Sequence, residues 1–328
     1  MATLEEQVQG ERMARIVLSM IAEPDDPITG YILARYGGVA ALGLAESDRD
    51  VTGLPRADVL LWRERLRARI APDLLDRAVG AQQQGFDTLI PADRGWPAGM
   101  DDLGDRVPYV LWTKGASSFL TAALSDRVSI TGARAASGYG EHVTRELATG
   151  LADEQRVVVA GGAYGIEGAA HRAVLAAAGQ PIAVLAAGLD RRYPAGHGDL
   201  LDRVGDAGLL VSELPPGTAP TKHRFEARNR LMAALSGAVV IPEAGVRSGS
   251  FTTVRDARSL GRAVGAVPGP VTSVASAGPN ELIKQGLASV VTQASDVIAL
   301  LEADTVVHDV MNRSGFGRGH RIDRSGPG

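Results

Sequence analysis

The sequence predicts an α/β protein, an extended Rossmann-like, doubly wound parallel sheet preceded by a small all-helical domain. Three observations carry that prediction. From Arg127 onward, short and wholly apolar runs recur, each followed by a glycine-rich turn and a helix-length stretch. Strands that are apolar on both faces and alternate with helices belong to a parallel sheet covered on both sides. The first eighty or so residues carry helical periodicity instead, and a chain of 328 residues is long enough for about two domains. The expected units are a helical domain of the SAM or helix-hairpin-helix kind over 1–85, the Rossmann-like domain over 86–303, and a basic Gly/Arg/Ser-rich tail over 304–328 that should be disordered.

Within the helical domain, Val8, Ile16, Val17, Met20 and Ile21 share one helical face. Ile32 and Tyr36 form an i,i+4 pair before Gly37-Gly38, which should stop that helix. Asp58 is the expected cap of a third helix carrying Val59, Trp62, Leu66 and Ile70 up to Pro72, and a fourth runs from Asp73 to about Gln84, ended by Gly85. The expected strands are Val128–Thr131, Val157–Ala160, Ile182–Leu185, Leu209–Val211, Val239–Ile241 and Ala263–Val267.

Composition narrows the chemistry. The chain has no cysteine, which removes disulfides, thiolate zinc sites, iron–sulfur clusters and thiol nucleophiles together. The six histidines show no H-x3-H or H-E-x-x-H spacing, so no metal is expected. The longest apolar run seen, Ile182–Ala187, is far short of a membrane span. The N-terminus lacks the basic-then-apolar order of a secretory signal, so the expected location is the cytoplasm, without membrane contact. A net charge of −4 argues against a surface coated in cations but allows one local basic groove.

Ligands of an open parallel sheet bind at the carboxyl ends of its strands, and three glycine-rich segments fall there. In the first, Gly132, Arg134 and Ser137 precede a helix, an arrangement of backbone N–H groups and a guanidinium fork that suits phosphate. The dinucleotide pattern would need glycines at 132, 134 and 137, and only the first is present; no acid follows the second strand to take a ribose hydroxyl. No nicotinamide or other cofactor is therefore expected. Gly162 and Gly165 lie in the second segment, and Ser248, Gly249, Ser250 and Thr252 in the third. Three such loops on one edge fit an extended, phosphate-bearing ligand.

The most specific stretch is Lys222-His-Arg-Phe-Glu-Ala-Arg-Asn-Arg230. It sets Lys222, Arg224, Arg228 and Arg230 against the single acid Glu226, with Phe225 in the middle and Asn229 on the stripe beside it. Cations that follow a phosphate backbone and an aromatic that stacks a base are the means of binding single strands. Four such contacts would give log K a slope near −3 against log salt, at roughly −0.7 per phosphate. A core Phe225 on a solvated charged helix is the competing interpretation.

Trp96-Pro97, Asp105–Gly115, Gly132-Ala-Arg134, Gly165–His171, Gly188–Pro194, Phe225–Arg230, Glu243, Ser248–Thr253, Val267-Pro-Gly269 and Gly278–Ile283 follow one another in an order that resembles the DprA/Smf family. The resemblance covers about 86–300. It implies a protein that binds single-stranded DNA, protects it and loads the RecA recombinase, usually as a homodimer, with no catalytic activity. It further implies phosphate contacts from Arg134 and the Lys222 segment, and base stacking by Phe225. Where the family commonly has Tyr-Pro, Gly-Ser-Arg and Gly-Ile-Asp, this chain has Trp96-Pro97, Gly132-Ala133-Arg134 and Gly165-Ile166-Glu167. The residues after Leu300 are too few and too polar for the winged helix that many members carry.

Two other functions fit the same sheet. Nucleotide phosphoribohydrolases carry a comparable Arg228-Asn-Arg-Leu-Met232 helix, but need a positioned carboxylate where this chain has Thr252 and Thr253, leaving Asp256 or Glu243 as substitutes. A sensor of a small nucleotide signal would use the same phosphate loops, though the cations around Phe225 favour a polymer.

Overall fold

The computed structural model describes residues 3–313. The N-terminal helices are α1 (Leu4–Gln7), α2 (Gly10–Ile21), α3 (Pro27–Glu46), α4 (Arg56–Arg67) and α5 (Leu74–Gln82). The apolar face of α2 buries Ile16, Val17 and Ile21, as its periodicity predicts. Gly37-Gly38 does not end the second predicted helix: α3 kinks at Gly37 (φ 78°) and runs on to Glu46. The Glu11 carboxylate accepts the Gly38 N–H (2.8 and 2.9 Å) and so satisfies the backbone at the kink. By length and composition α3 is apolar enough to cross a membrane, but Ile32, Leu33, Ala41 and Leu42 are buried in the protein core. Helix α4 begins at Arg56 behind Pro55, two residues before the expected cap Asp58.

Next come β1 (Asp87–Leu89), β2 (Leu111–Gly115), β3 (Arg127–Ile130), α6 (Gly138–Asp153), β4 (Val157–Ala160), α7 (Ile166–Ala176), β5 (Pro181–Val184), α8 (Gly198–Ala207) and β6 (Leu209–Ser212). The chain continues with α9 (Lys222–Ala234), β7 (Ala238–Ile241), α10 (Ser250–Ser259), β8 (Ala263–Ala266), α11 (Ala277–Lys284), β9 (Ser289–Val290) and α12 (Ala294–Arg313). The nine strands form one sheet in the order β1-β2-β6-β5-β4-β3-β7-β8-β9. All neighbours from β6 to β9 run parallel, whereas β1–β2 and β2–β6 are antiparallel. The two antiparallel strands are absent from the sequence prediction, because β1 is three residues long and β2 lies in a stretch without period-2 alternation.

Strand residues alternate between two layers, which explains why both faces are apolar. In β4, Val158 joins Val128, Ile130, Leu147, Leu151 and Val240 on one side. Val157 and Val159 join Ile182, Val184, Leu231 and Leu235 on the other. Full burial of each such side chain contributes about 1.5–3 kcal/mol. The N-terminal helices share a core with Trp112, Leu185, Leu201 and Leu210, so they pack on the sheet and do not stand apart from it. The tail expected over 304–328 is helical in its first part, since α12 extends to Arg313; residues 314–328 lie outside the described residues.

The chain winds outward from β3 through β4, β5 and β6, then returns to β7 on the other flank of β3. That reversal is a topological switch point, where adjacent loops diverge and leave a crevice at the carboxyl ends of the strands.

Candidate nucleic-acid interface

The crevice is present as an open cleft of about 600 Å³. Its floor is the turn after β3, one wall is the first half of α9, and the other is the loop between β7 and α10. Nine residues picked out in the sequence line it: Gly132, Arg134, Lys222, Phe225, Arg228, Asn229, Ser248, Gly249 and Ser250. Gly162 lines a narrow recess next to it, which also borders Phe225 and Arg228.

Thr221 caps α9 by accepting the Arg224 N–H (3.3 Å), which projects the first turn of the helix into the cleft. Phe225 belongs to none of the four apolar core clusters. Its ring lies under the Arg134 guanidinium (4.6 Å to the centroid), near Arg228 (5.9 Å), and 5.8 Å from the ring of Tyr193. A partly exposed aromatic beside two guanidinium groups has the chemistry of a stacking face, and the core interpretation of Phe225 does not fit it. Tyr193, about half exposed, has no assigned role in the sequence; its signal is an exposed aromatic in the loop after a parallel strand.

Arg134 is exposed, and among the described residues it makes no ion pair. Lys222 is almost wholly exposed and 3.8 Å from Glu226. Arg228 is buried near the Phe225 ring, 3.6 Å from the Glu167 carboxylate, and donates to the Val184 carbonyl (2.8 Å). A side chain at Gly161 would overlap this guanidinium, so glycine there makes room for Arg228. Glu167 also accepts from the Thr131 hydroxyl and the Ala163 N–H (both 2.9 Å). Burial alone would push its carboxyl up, but Arg228 and these donors outweigh burial and hold it below the ordinary carboxylate range. The Glu167 carboxyl is therefore ionised at neutral pH, while burial lowers the Arg228 guanidinium from its ordinary value.

The second glycine loop is held from behind. His171 Nε2 donates to the Gly161 carbonyl (2.9 Å) and His197 Nδ1 to that of Gly162 (3.0 Å). Burial lowers the His171 pKa to about 4, so it is neutral. Gly165 has φ +74°, and a side chain there would meet the Ala133 and Arg134 carbonyls; it seats the first loop on the second and does not line the cleft. On the opposite wall, Ser250 Oγ donates to the Gly132 carbonyl (3.0 Å) and Asn229 Nδ2 to that of Gly249 (3.3 Å). The three loops thus brace one another.

Four other predicted site residues have different surroundings. Arg230 is fully buried and holds both oxygens of Glu213 (2.7 and 2.6 Å) as well as Asp25 (3.3 Å). Arg224 forms a two-bond pair with Glu23 of the N-terminal module (both 3.0 Å). Neither lines the cleft, so the expectation that both follow the phosphate backbone is corrected: each is matched to a carboxylate supplied by distant sequence. Ser137 caps α6 and bonds Glu243 through Oγ and N–H (both 2.7 Å), which makes it a loop anchor. Thr252 lies in the first turn of α10, outside the cleft. Among the described residues no group of three His, Asp or Glu side chains is arranged to hold a metal ion.

The chain is thus an α/β protein of the Rossmann-like class with a cationic, aromatic-bearing cleft at its switch point. The chain belongs to the DNA recombination-mediator protein A family, whose model matches residues 87–302. A DprA relative from Mycobacterium tuberculosis is 48% identical over 226 residues, covering 66% of this chain and 58% of the relative. The chain thus matches somewhat over half the length of that relative. The solved DNA processing protein A of Streptococcus pneumoniae superposes with a TM-score of 0.72 at 31% identity, over 89% of this chain and 98% of that one. DNA processing protein A of Helicobacter pylori, a structure described for its single-stranded DNA binding mode, gives 0.59 at 30% identity, over 69% and 97%.

Proposed function

We propose that this protein binds single-stranded DNA without strong sequence preference, through the cleft between α9 and the loops after β3 and β7. The observation that carries this reading is Phe225, held outside the core with Arg134 over its ring and Arg228 close by. Every base has a π-face, so a stacking platform among cations is indifferent to sequence. The single-strand binding described for the Helicobacter pylori relative supports single-stranded DNA as the ligand. From family membership we further propose that the protein protects single strands and loads RecA onto them in the cytoplasm, as a homodimer.

We read the protein as non-enzymatic. Glu243 and Asp256, the carboxylates a glycosidic cleavage would draw on, are engaged elsewhere: Glu243 by Ser137, and Asp256 by Arg106 at 3.0 Å. Fluorescence anisotropy with strands of ~30 nucleotides at low salt tests the reading, since an electrostatic site binds most tightly there. Saturable binding of strands of unrelated sequence is expected. A folded protein that ignores them would overturn it.

A further inference from the structure

The segment joining α2 to α3, Glu23-Pro24-Asp25, lies against the side of α9 turned away from the cleft. Each of its three residues holds a different residue of that helix. Glu23 accepts both bonds from Arg224, and a third from Arg69 (2.9 Å) within the N-terminal module. The Pro24 carbonyl accepts from His223 Nε2 (3.2 Å). Asp25 pairs with the buried Arg230 (3.3 Å) and, through two bonds of 2.9 and 2.8 Å, with Arg106.

These contacts bear on the cleft because of helix geometry. Successive side chains leave an α-helix about 100° apart, so pinning Arg224 sets the direction of Phe225 beside it. The first turn of a helix has unsatisfied N–H groups and frays readily, and α9 has a single side-chain cap bond of 3.3 Å there. Lys222 and Phe225 both lie in that weakly held stretch. Burial would raise the Glu23 carboxyl, but Arg224 and Arg69 prevail and hold it below its ordinary value, so its charge persists at neutral pH.

We propose that Glu23-Pro24-Asp25 is a positioning element of the nucleic-acid cleft: the N-terminal module sets the rotation and rigidity of the start of α9 and thereby the affinity for single strands, without touching them. This rests on the reading of the cleft as the single-strand site. The competing arrangement is that Arg224 leaves Glu23 to meet a phosphate when DNA binds, so that Glu23 acts as a competitor of DNA. The two predict opposite signs.

The test is a charge swap in the full chain, read by anisotropy with an oligothymidine. Glu23→Gln, Glu23→Arg and Arg224→Glu should each weaken binding by about five- to tenfold, the lower end of the usual coupling between sites. The double variant Glu23→Arg/Arg224→Glu should return to within about twofold of wild type, with an unchanged salt slope. Amide exchange in residues 222–226, measured without DNA, should quicken in the single variants and recover in the double. Tighter binding by Glu23→Gln, or a double variant as weak as Arg224→Glu, would overturn the proposal while leaving the cleft as the site. A wild-type protein that does not bind oligothymidine would overturn the functional reading, and this inference with it.

Discussion

Arg224 and Arg228 stand one turn apart on α9, in a stretch whose cations look alike in sequence, yet one lines the cleft and the other does not. Arg228 faces the cleft beneath Phe225, with Arg134 and the exposed Lys222 nearby. Arg224 faces the N-terminal module with Arg230, and each is bonded to a carboxylate by both available oxygens. At the cleft, exposed Lys222 and Arg134 leave positive charge open to a ligand while Arg228 is matched to Glu167; on the other side every cation is neutralised within the protein. A cation's role is therefore set by the acids that the fold brings to it, and local density of basic residues overstates what a ligand meets.

The contrast breaks most visibly at Arg230. Arg230→Met leaves Glu213 buried without its partner and should cost about 3–5 kcal/mol of folding free energy, measured by urea unfolding. Adding Glu213→Gln should recover part of that loss. A cost near zero would mean that the neutralised side of α9 does not hold the fold.

On the cleft side the expected effects are smaller and fall on binding. Arg134→Ala should weaken single-strand affinity by about 1.5–3 kcal/mol, the range for a charge-assisted contact, with melting temperature unchanged. Unchanged affinity in a stable variant would make the first loop purely structural.

Phe225→Ala should cost about 1–3 kcal/mol of binding, the range for one stacked base. Phe225→Leu should be nearly as damaging to affinity, because leucine keeps bulk but has no π-face. A core phenylalanine would instead cost about 3–5 kcal/mol of stability on truncation, so chemical denaturation of the alanine variant separates the two roles.

The salt dependence sharpens the comparison most finely. With Arg224 and Arg230 neutralised inside the protein and the buried Arg228 matched to Glu167, Arg134 and Lys222 remain as the exposed cations of the cleft. Two phosphate contacts predict a slope of log K against log salt near −1.4, at roughly −0.7 each, in place of the −3 expected from the sequence. Lys222→Ala should make the slope shallower by about 0.7 and cost under about 1 kcal/mol at moderate salt. A wild-type slope of −3 or steeper would return Arg224 to the list of phosphate contacts.

Much of the molecule is legible without coordinates, for a physical reason. Parallel strands buried on both faces must be continuously apolar, and the turns that follow them need glycine, so the core strands and their loops can be read from local composition. The cleft is legible for the same reason, as nine predicted residues line it. The antiparallel pair β1–β2 and the kinked continuation of α3 are not, because each depends on a partner distant in sequence: β6 for the sheet edge, and Glu11 for the freed Gly38 N–H.

By itself, the order of residues determined the class of fold and pointed to the sheet edge and the aromatic that the proposed site uses, leaving open whether that aromatic belonged to the core. Only the tertiary structure decided which cations are left exposed at the cleft. Glu23, Asp25 and Glu213 reach α9 from the N-terminal module and from the end of β6, and an ion pair between elements so far apart leaves no periodicity or spacing in the chain. Helical and strand patterns are consequences of local backbone geometry and can be read from a dozen residues. Charge compensation depends on distances through space of a few ångströms, which come into being only when the core has closed.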